Sequence, residues 1–350
     1  MKLKHDILYD KSIIYKLTDY VLLNSCSVNS SGLYNGKAGI ALALFEVARC
    51  LQDKYLEERA CELLQESLLS KNEDIGFENG LSGIGYVLYY LVENKFVDAD
   101  FEELFGDKLN KIKSTLDGWK EAHISTKIFN NLKIVYFLDQ VSRYNEDKAV
   151  IFYIKLFSAT AEDGLIKQFK EKSRLFSTSH STIDILEAFR EYLKIACNCH
   201  SFQISSAVFY HYVNLYQSNR CSSDFLIGHY LHTMVQNTEY DEINTIAKTN
   251  IEYAVKNIYP EAMSLQQRLD QLYLLFTFYL DKYPKQVELL DKGLFDIREK
   301  SIQEQSLCMG IPTACLKAGY QSGVARLLLY WAYRINVVYQ TNCTRFNKIF

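Results

Sequence analysis

The sequence predicts an all-α fold, a closed ring of about seven helical hairpins, on three observations. Apolar residues recur with helical periodicity while strand-like alternation is scarce. One glycine-bearing phrase returns at the starts of successive apolar helices, and its first and last copies are both strong. An open stack of hairpins would end in polar, diverged caps, so strong copies at both ends favour closure.

The elements follow in chain order. Met1 to Lys16 alternates charged and apolar residues and lacks the apolar stretch and cleavage site of a signal peptide, so a cytoplasmic location is expected. Ile40, Leu44 and Val47, with Ala41 and Phe45, then form one broad apolar helical face. Residues 52–70 carry acids and bases on the outer side of a second helix, so an inner apolar helix followed by an outer charged one is the unit. Ile84, Leu88, Tyr89 and Leu91 start the next unit. The most apolar run, Leu81 to Val92, falls short of the roughly 20 residues a membrane span needs, so no membrane insertion is expected. Ile128 to Tyr144 reads as an apolar helix followed by a helical 147–170, and 181–196 reads as another, with Ile183, Leu186, Phe189 and Leu193 on its apolar face.

The phrase itself is clearest at Gly32-Leu33-Tyr34-Asn35-Gly36-Lys37-Ala38-Gly39 and Gly76-Phe77-Glu78-Asn79-Gly80-Leu81-Ser82-Gly83. A third copy runs from Gly319 to Arg326, with arginine in the last glycine's place. Weaker copies open helices near Ser181, Ser223 and Arg268, so the second-glycine slot falls at 36, 80, 181, 223, 268 and 323. The one double-length interval, 80 to 181, is filled by the 128–170 hairpin. Helix-interior glycine costs about 1 kcal/mol against alanine, so glycines three apart at a helix start imply close packing. The first glycine of each copy suits a turn with positive φ.

Composition bounds the function. With 350 residues, 48% of them hydrophobic, and only three prolines, a single domain over 1–350 is expected. A net charge of −3 without any Lys/Arg block argues against a nucleic-acid partner. Nine cysteines without regular spacing read as reduced, mostly buried thiols.

The phrase, its period and the strong copies at 32–40 and 76–84 resemble the lanthionine synthetase C-like family. The resemblance implies an α/α toroid whose inner helices start around a central cavity. Cyclases of the family hold zinc there with two cysteines and a histidine; the metal activates a peptide thiolate, which adds to a dehydrated serine or threonine. Cys221 falls on the first cysteine ligand, in a Trp-Cys phrase that here reads Arg220-Cys221. The second ligand pair, Cys-His, falls on Gln266-Gln267, followed by Arg268. Two of three ligands are thus absent, and glutamine replaces neither thiolate nor imidazole at zinc, so no metal and no other cofactor is expected. His180 falls on a cavity histidine and is the candidate acid or base.

The implied function is that of a divergent member acting on a ribosomally made peptide, in maturation or recognition, with other peptide-maturation proteins as further partners. A non-catalytic peptide-binding module is one alternative. A carbohydrate-active toroid is another, with Asp184 and Asp224 as the carboxylate pair such an enzyme needs and Glu78 and Asp270 as further acids near helix starts. His180, Cys221, Gln266, Gln267 and Arg268 share one phase of the repeat, so they are expected to meet at one mouth of the ring. There, unpaired helix N–H groups and Arg268 would favour an anion. Cys197, Cys199 and His200 lie some 25 Å further along an unbroken helix at 1.5 Å per residue, outside that mouth.

Overall fold

Helical periodicity is realised throughout the computed structural model, which describes residues 2–119, 128–174, 180–235, 241–291, 294, 318–320 and 323–338. Among these residues there are fourteen α-helices given by name below, a further helical turn at 128–131, one 3-10 turn at Pro260–Ala262 and no strand. In chain order they are α1 (Lys2–Ser25), α2 (Lys37–Leu51), α3 (Lys54–Leu68), α4 (Leu81–Glu93), α5 (Phe101–Asp117), α6 (Ile134–Asn145), α7 (Lys148–Arg174), α8 (His180–Asn198), α9 (Ser206–Gln217), α10 (Phe225–Val235), α11 (Asp241–Lys256), α12 (Leu265–Phe278), α13 (Pro284–Asp291) and α14 (Val324–Val338). No helix among the described residues is long and apolar enough to cross a membrane. The chain divides into two compact units, Met1–Leu109 with Tyr259–Phe350, and Asn110–Ile258.

In the first unit the hairpin rule holds for α2 with α3 and for α12 with α13, each an apolar helix packed on the next one in sequence. Asp53 starts α3 by accepting from Tyr55 N at 3.0 Å and Leu56 N at 3.3 Å. The last apolar helix, α14, takes its partner from the other end of the chain: it packs on α1 and on α2. Its Trp331 and Tyr330 are fully buried, as are Ile13, Ile14, Leu17 and Val21 of α1. The last copy of the phrase therefore sits against the first.

The phrase is a loop that caps its own helix. Lys37 N donates to Ser30 O at 2.9 Å and Ala38 N to Ser31 O at 3.3 Å; Leu81 N donates to Asp74 O at 2.7 Å, and Ala325 N to Ala318 O at 3.2 Å. In each case the acceptor lies seven residues back, so the orphan donors of the first turn are taken by the loop's own carbonyls. Ser82 Oγ makes the equivalent bond to Ile75 O at 2.6 Å. This path forces the chain onto itself at the glycines. A Cβ on Gly36 would lie 2.4 Å from Gly32 N, and one on Gly80 2.4 Å from Asp74 O. The third glycine receives the neighbouring copy: a Cβ on Gly39 would meet Tyr320 Cβ at 2.7 Å, and one on Gly83 would meet Leu33 Cβ at 2.9 Å. The first glycine corrects its sequence reading. None of Gly32, Gly76 and Gly319 has positive φ; Gly32 is required because its Cβ would fall 2.3 Å from Asn79 Cα of the adjacent loop.

In the second unit α6 packs on α7, α7 on α8 and α9, and α10 on α8 and α11. The expected 128–144 helix is interrupted by a turn at 132–133 before α6 begins. Aromatic side chains fill this core, with Phe189 4.8 Å from Tyr212 and 5.3 Å from Phe169 between ring centroids. Buried Asp139 on α6 accepts from the backbone N–H of His200 at 2.8 Å and Ser201 at 3.3 Å, fixing the turn after α8.

Candidate functional site

The expected site residues fall in both units. Gln266, Gln267 and Arg268 lie in the first turn of α12, in the first unit; His180, Asp184, Cys221 and Asp224 belong to the second. His180 opens α8 and Asp184 lies in its second turn, but both side chains are outside the described residues.

On α12 the structure gives Gln267 and Arg268 structural work. Ser264 caps the helix: its Oγ accepts from Gln267 N at 3.2 Å while Gln267 Oε1 accepts from Ser264 N at 3.1 Å, a reciprocal capping box. Gln267 is thereby exposed and occupied at the helix end. Arg268 is buried, and its Nε donates to Leu290 O at 2.7 Å. Burial pulls its guanidinium below the usual arginine value, partly offset by Glu261 and Asp291. Its charge thus faces the C-terminal end of α13, where carbonyls and Asp291 concentrate negative potential. Asp291 also pairs with Arg334 at 2.7 Å.

One helix away, Arg326 takes the third-glycine slot of the last copy. It pairs with Asp270 of α12 and lies over the Tyr320 ring, 5.3 Å from its centroid. Tyr320 in turn lies 6.1 Å from Tyr34, and Tyr34 lies 6.3 Å from Phe77. A continuous aromatic and ionic string therefore runs along four neighbouring helix starts of this unit. Asp270, named above only as a spare acid, is engaged in it.

Around Cys221 the second unit builds a denser network. Asp224 stands directly before α10; its Oδ1 accepts from Ile227 N at 3.0 Å and its Oδ2 from Arg190 Nη2 at 2.6 Å. Its own N–H donates to Asn250 Oδ1 at 2.9 Å, and Tyr212 OH donates to the same oxygen at 3.3 Å. Ser223 Oγ and Tyr216 OH are 2.9 Å apart, and Arg220 Nη1 donates to Lys172 O at 2.7 Å. Burial, with Asp224 adding to it, pushes the Cys221 thiol up to about 12. At neutral pH the free side chain is therefore a protonated thiol, not a thiolate nucleophile. Asp224 is paired with arginine and at the same time caps a helix.

At two of the three helix starts a side chain takes up an N–H group. Asp224 caps α10 and Ser264 caps α12, so a carboxylate and a hydroxyl already occupy the places offered to an anion. They also shift the phrase. Gly36, Gly80 and Gly323 each stand directly before a helix, and so do Asp224 and Ser264, whereas the expected slots were Ser223 and Arg268.

Sequence reasoning missed Asn250 and Arg190. Asn250 had a readable signal, a lone amide within the apolar stripe Ile243, Ile246, Ala247, Ile251 and Val255. Arg190 had none, because its partner lies 34 residues away.

Compared with known families, residues 27–120 match the profile of the lanthionine synthetase C-like proteins. Over that segment the chain is similar to lanthionine synthetase C-like proteins. No curated protein matches it. The matched residues hold the first two copies of the phrase, in which the LanC-like loop caps itself through carbonyls seven residues back. The resemblance implies zinc, and among the described residues the positions expected for its ligands hold Cys221, Gln266 and Gln267. Gln267 is engaged in a capping box. Moving to the observed helix boundaries puts Ala262 and Met263 in the ligand pair's place and Ser222, next to Cys221, in that of the first cysteine. Among the described residues, no group of three His, Cys, Asp or Glu could hold a metal ion.

Proposed function

We propose that this LanC-like chain recognises a ribosomally made peptide without the zinc-dependent cyclisation of its family, in a step shared with other peptide-maturation proteins. The observation that carries the reading is the contrast between two parts of one repeat. The self-capping phrase keeps its glycines at 36, 39, 80 and 83, while the ligand positions have turned into caps and packing residues. Selection that retains the scaffold and not the metal donors fits a binding role. His180, at the first position of α8, is the residue this reading leaves for acid or base work.

The test uses the full-length protein. Elemental analysis is expected to find no stoichiometric zinc, and an immobilised library of random decapeptides is expected to retain the protein where a glycan array does not. One zinc per chain, lost on Cys221→Ala, would overturn the metal-free reading; retention on glycans alone would replace the peptide by a carbohydrate.

A further inference from the structure

Asp224 touches three other elements. Its carboxylate reaches Arg190 on α8 and caps α10, and its backbone N–H reaches Asn250 on α11. Asn250 is fully buried, and every polar atom of its amide has work: Nδ2 donates to Ile246 O at 3.0 Å while Oδ1 accepts from both Asp224 N and Tyr212 OH. The helices meet here without slack, since a Cβ on Gly228 of α10 would lie 2.8 Å from Asn250 Cβ and 2.9 Å from Ala247 O. The preceding loop is tied on both sides of Cys221, at Arg220 to α7 and at Ser223 to α9.

We infer that Arg190, Asp224 and Asn250 form a self-contained polar anchor that fixes the Cys221 loop and the start of α10, doing by hydrogen bonds what a metal with several protein ligands does elsewhere. A metal site immobilises its loops because the ion draws ligands from separate segments. Here α7, α8, α9 and α11 each contribute one direct tie to residues 220–224. A polar network that ties separate elements to one loop rigidifies its surroundings in the same way, and here the half-buried pair of Arg190 and Asp224 is joined to a fully buried Asn250 whose amide is fully engaged. Arg190, Asp224 and Asn250 are positioning residues in this scheme. The inference holds whether the occupant is a peptide or not.

Hydrogen exchange read on peptides covering 220–230 of the full-length protein tests it. In the parent, neither EDTA nor added zinc chloride should change exchange there. Asn250→Ala should raise exchange at Asp224 to Gly228 at least tenfold, with α2 and α4 unaffected, and zinc should not restore it. Arg190→Gln keeps Asn250 and removes only the ionic tie; it should give a smaller rise confined to the same peptides, and it decides the matter if Asn250→Ala unfolds. Parent exchange that speeds with EDTA or slows with zinc, or an Arg190→Gln protein identical to the parent, would overturn the anchor.

Discussion

At Gly39 an added Cβ would lie 1.9 Å from the Leu33 carbonyl oxygen, and backbone cannot step aside as a flexible side chain can. Gly39→Ala, the smallest possible change, is therefore expected to destabilise by about 2 kcal/mol or more, read as a lowered urea midpoint. A midpoint equal to the parent's would mean that the loop path of the phrase is wrong. Glu46 offers a second test, through charge. It is fully buried on α2 and paired with Arg49 at 2.5 Å and with the Tyr90 hydroxyl. Burial holds its carboxyl above the ordinary 4.5, against the downward pull of Arg49 and Tyr90. The folded state thus binds this proton more tightly than the unfolded chain, so the contribution is full below the unfolded value and is lost as pH rises through the folded one. Glu46→Gln should gain on the parent in urea midpoint as pH is raised from 4 towards 7; a difference constant with pH would show that burial does not govern this group.

Where a glycine is enforced by the backbone path, the element could be read from the sequence; where a side chain does the same work, it could not. Copies at 36, 80 and 323 stand directly before α2, α4 and α14 because the loop must fold back on itself there. The starts of α10 and α12 are made by Asp224 and Ser264, which need no glycine, so apolar periodicity alone left their phase loose by one and four residues. Arg268 was read as a mouth charge because nothing nearby in sequence announces Leu290, 22 residues on, as its acceptor. The last copy carries the reverse lesson. Arg326→Gly restores the family phrase yet should destabilise the protein, since it strips the partner from Asp270, whose side chain is 17% exposed, and removes the cation over Tyr320. Because Asp270 keeps some water, the loss should sit at about 2 kcal/mol, below the roughly 3–5 kcal/mol of a fully buried pair. Stabilisation by this substitution would show that the arginine is merely tolerated.

Across the whole chain, the helical class and the alternation of apolar with charged helices were legible, because a period of 3.6 residues is a local property. The pairing of α14 with α1 was not, because it joins segments about 300 residues apart and depends on no motif. Deleting residues 1–26 should uncover α14 and raise hydrogen exchange across 324–335 while leaving 134–174 protected; unchanged protection of α14 would contradict the pairing. That pairing also sets an order in time. A ribosome adding roughly 5–20 residues per second takes on the order of 15–60 s to travel from the end of α1 to α14. Throughout that interval Ile13, Ile14, Leu17 and Val21 have left the exit tunnel without the helix that buries them. The contiguous stretch from Asn110 to Ile258 can meanwhile find its contacts on the nascent chain. The nascent protein thus carries an uncovered, adhesive α1 until α14 has been made, and it is there that a holdase chaperone would have the longest opportunity to bind.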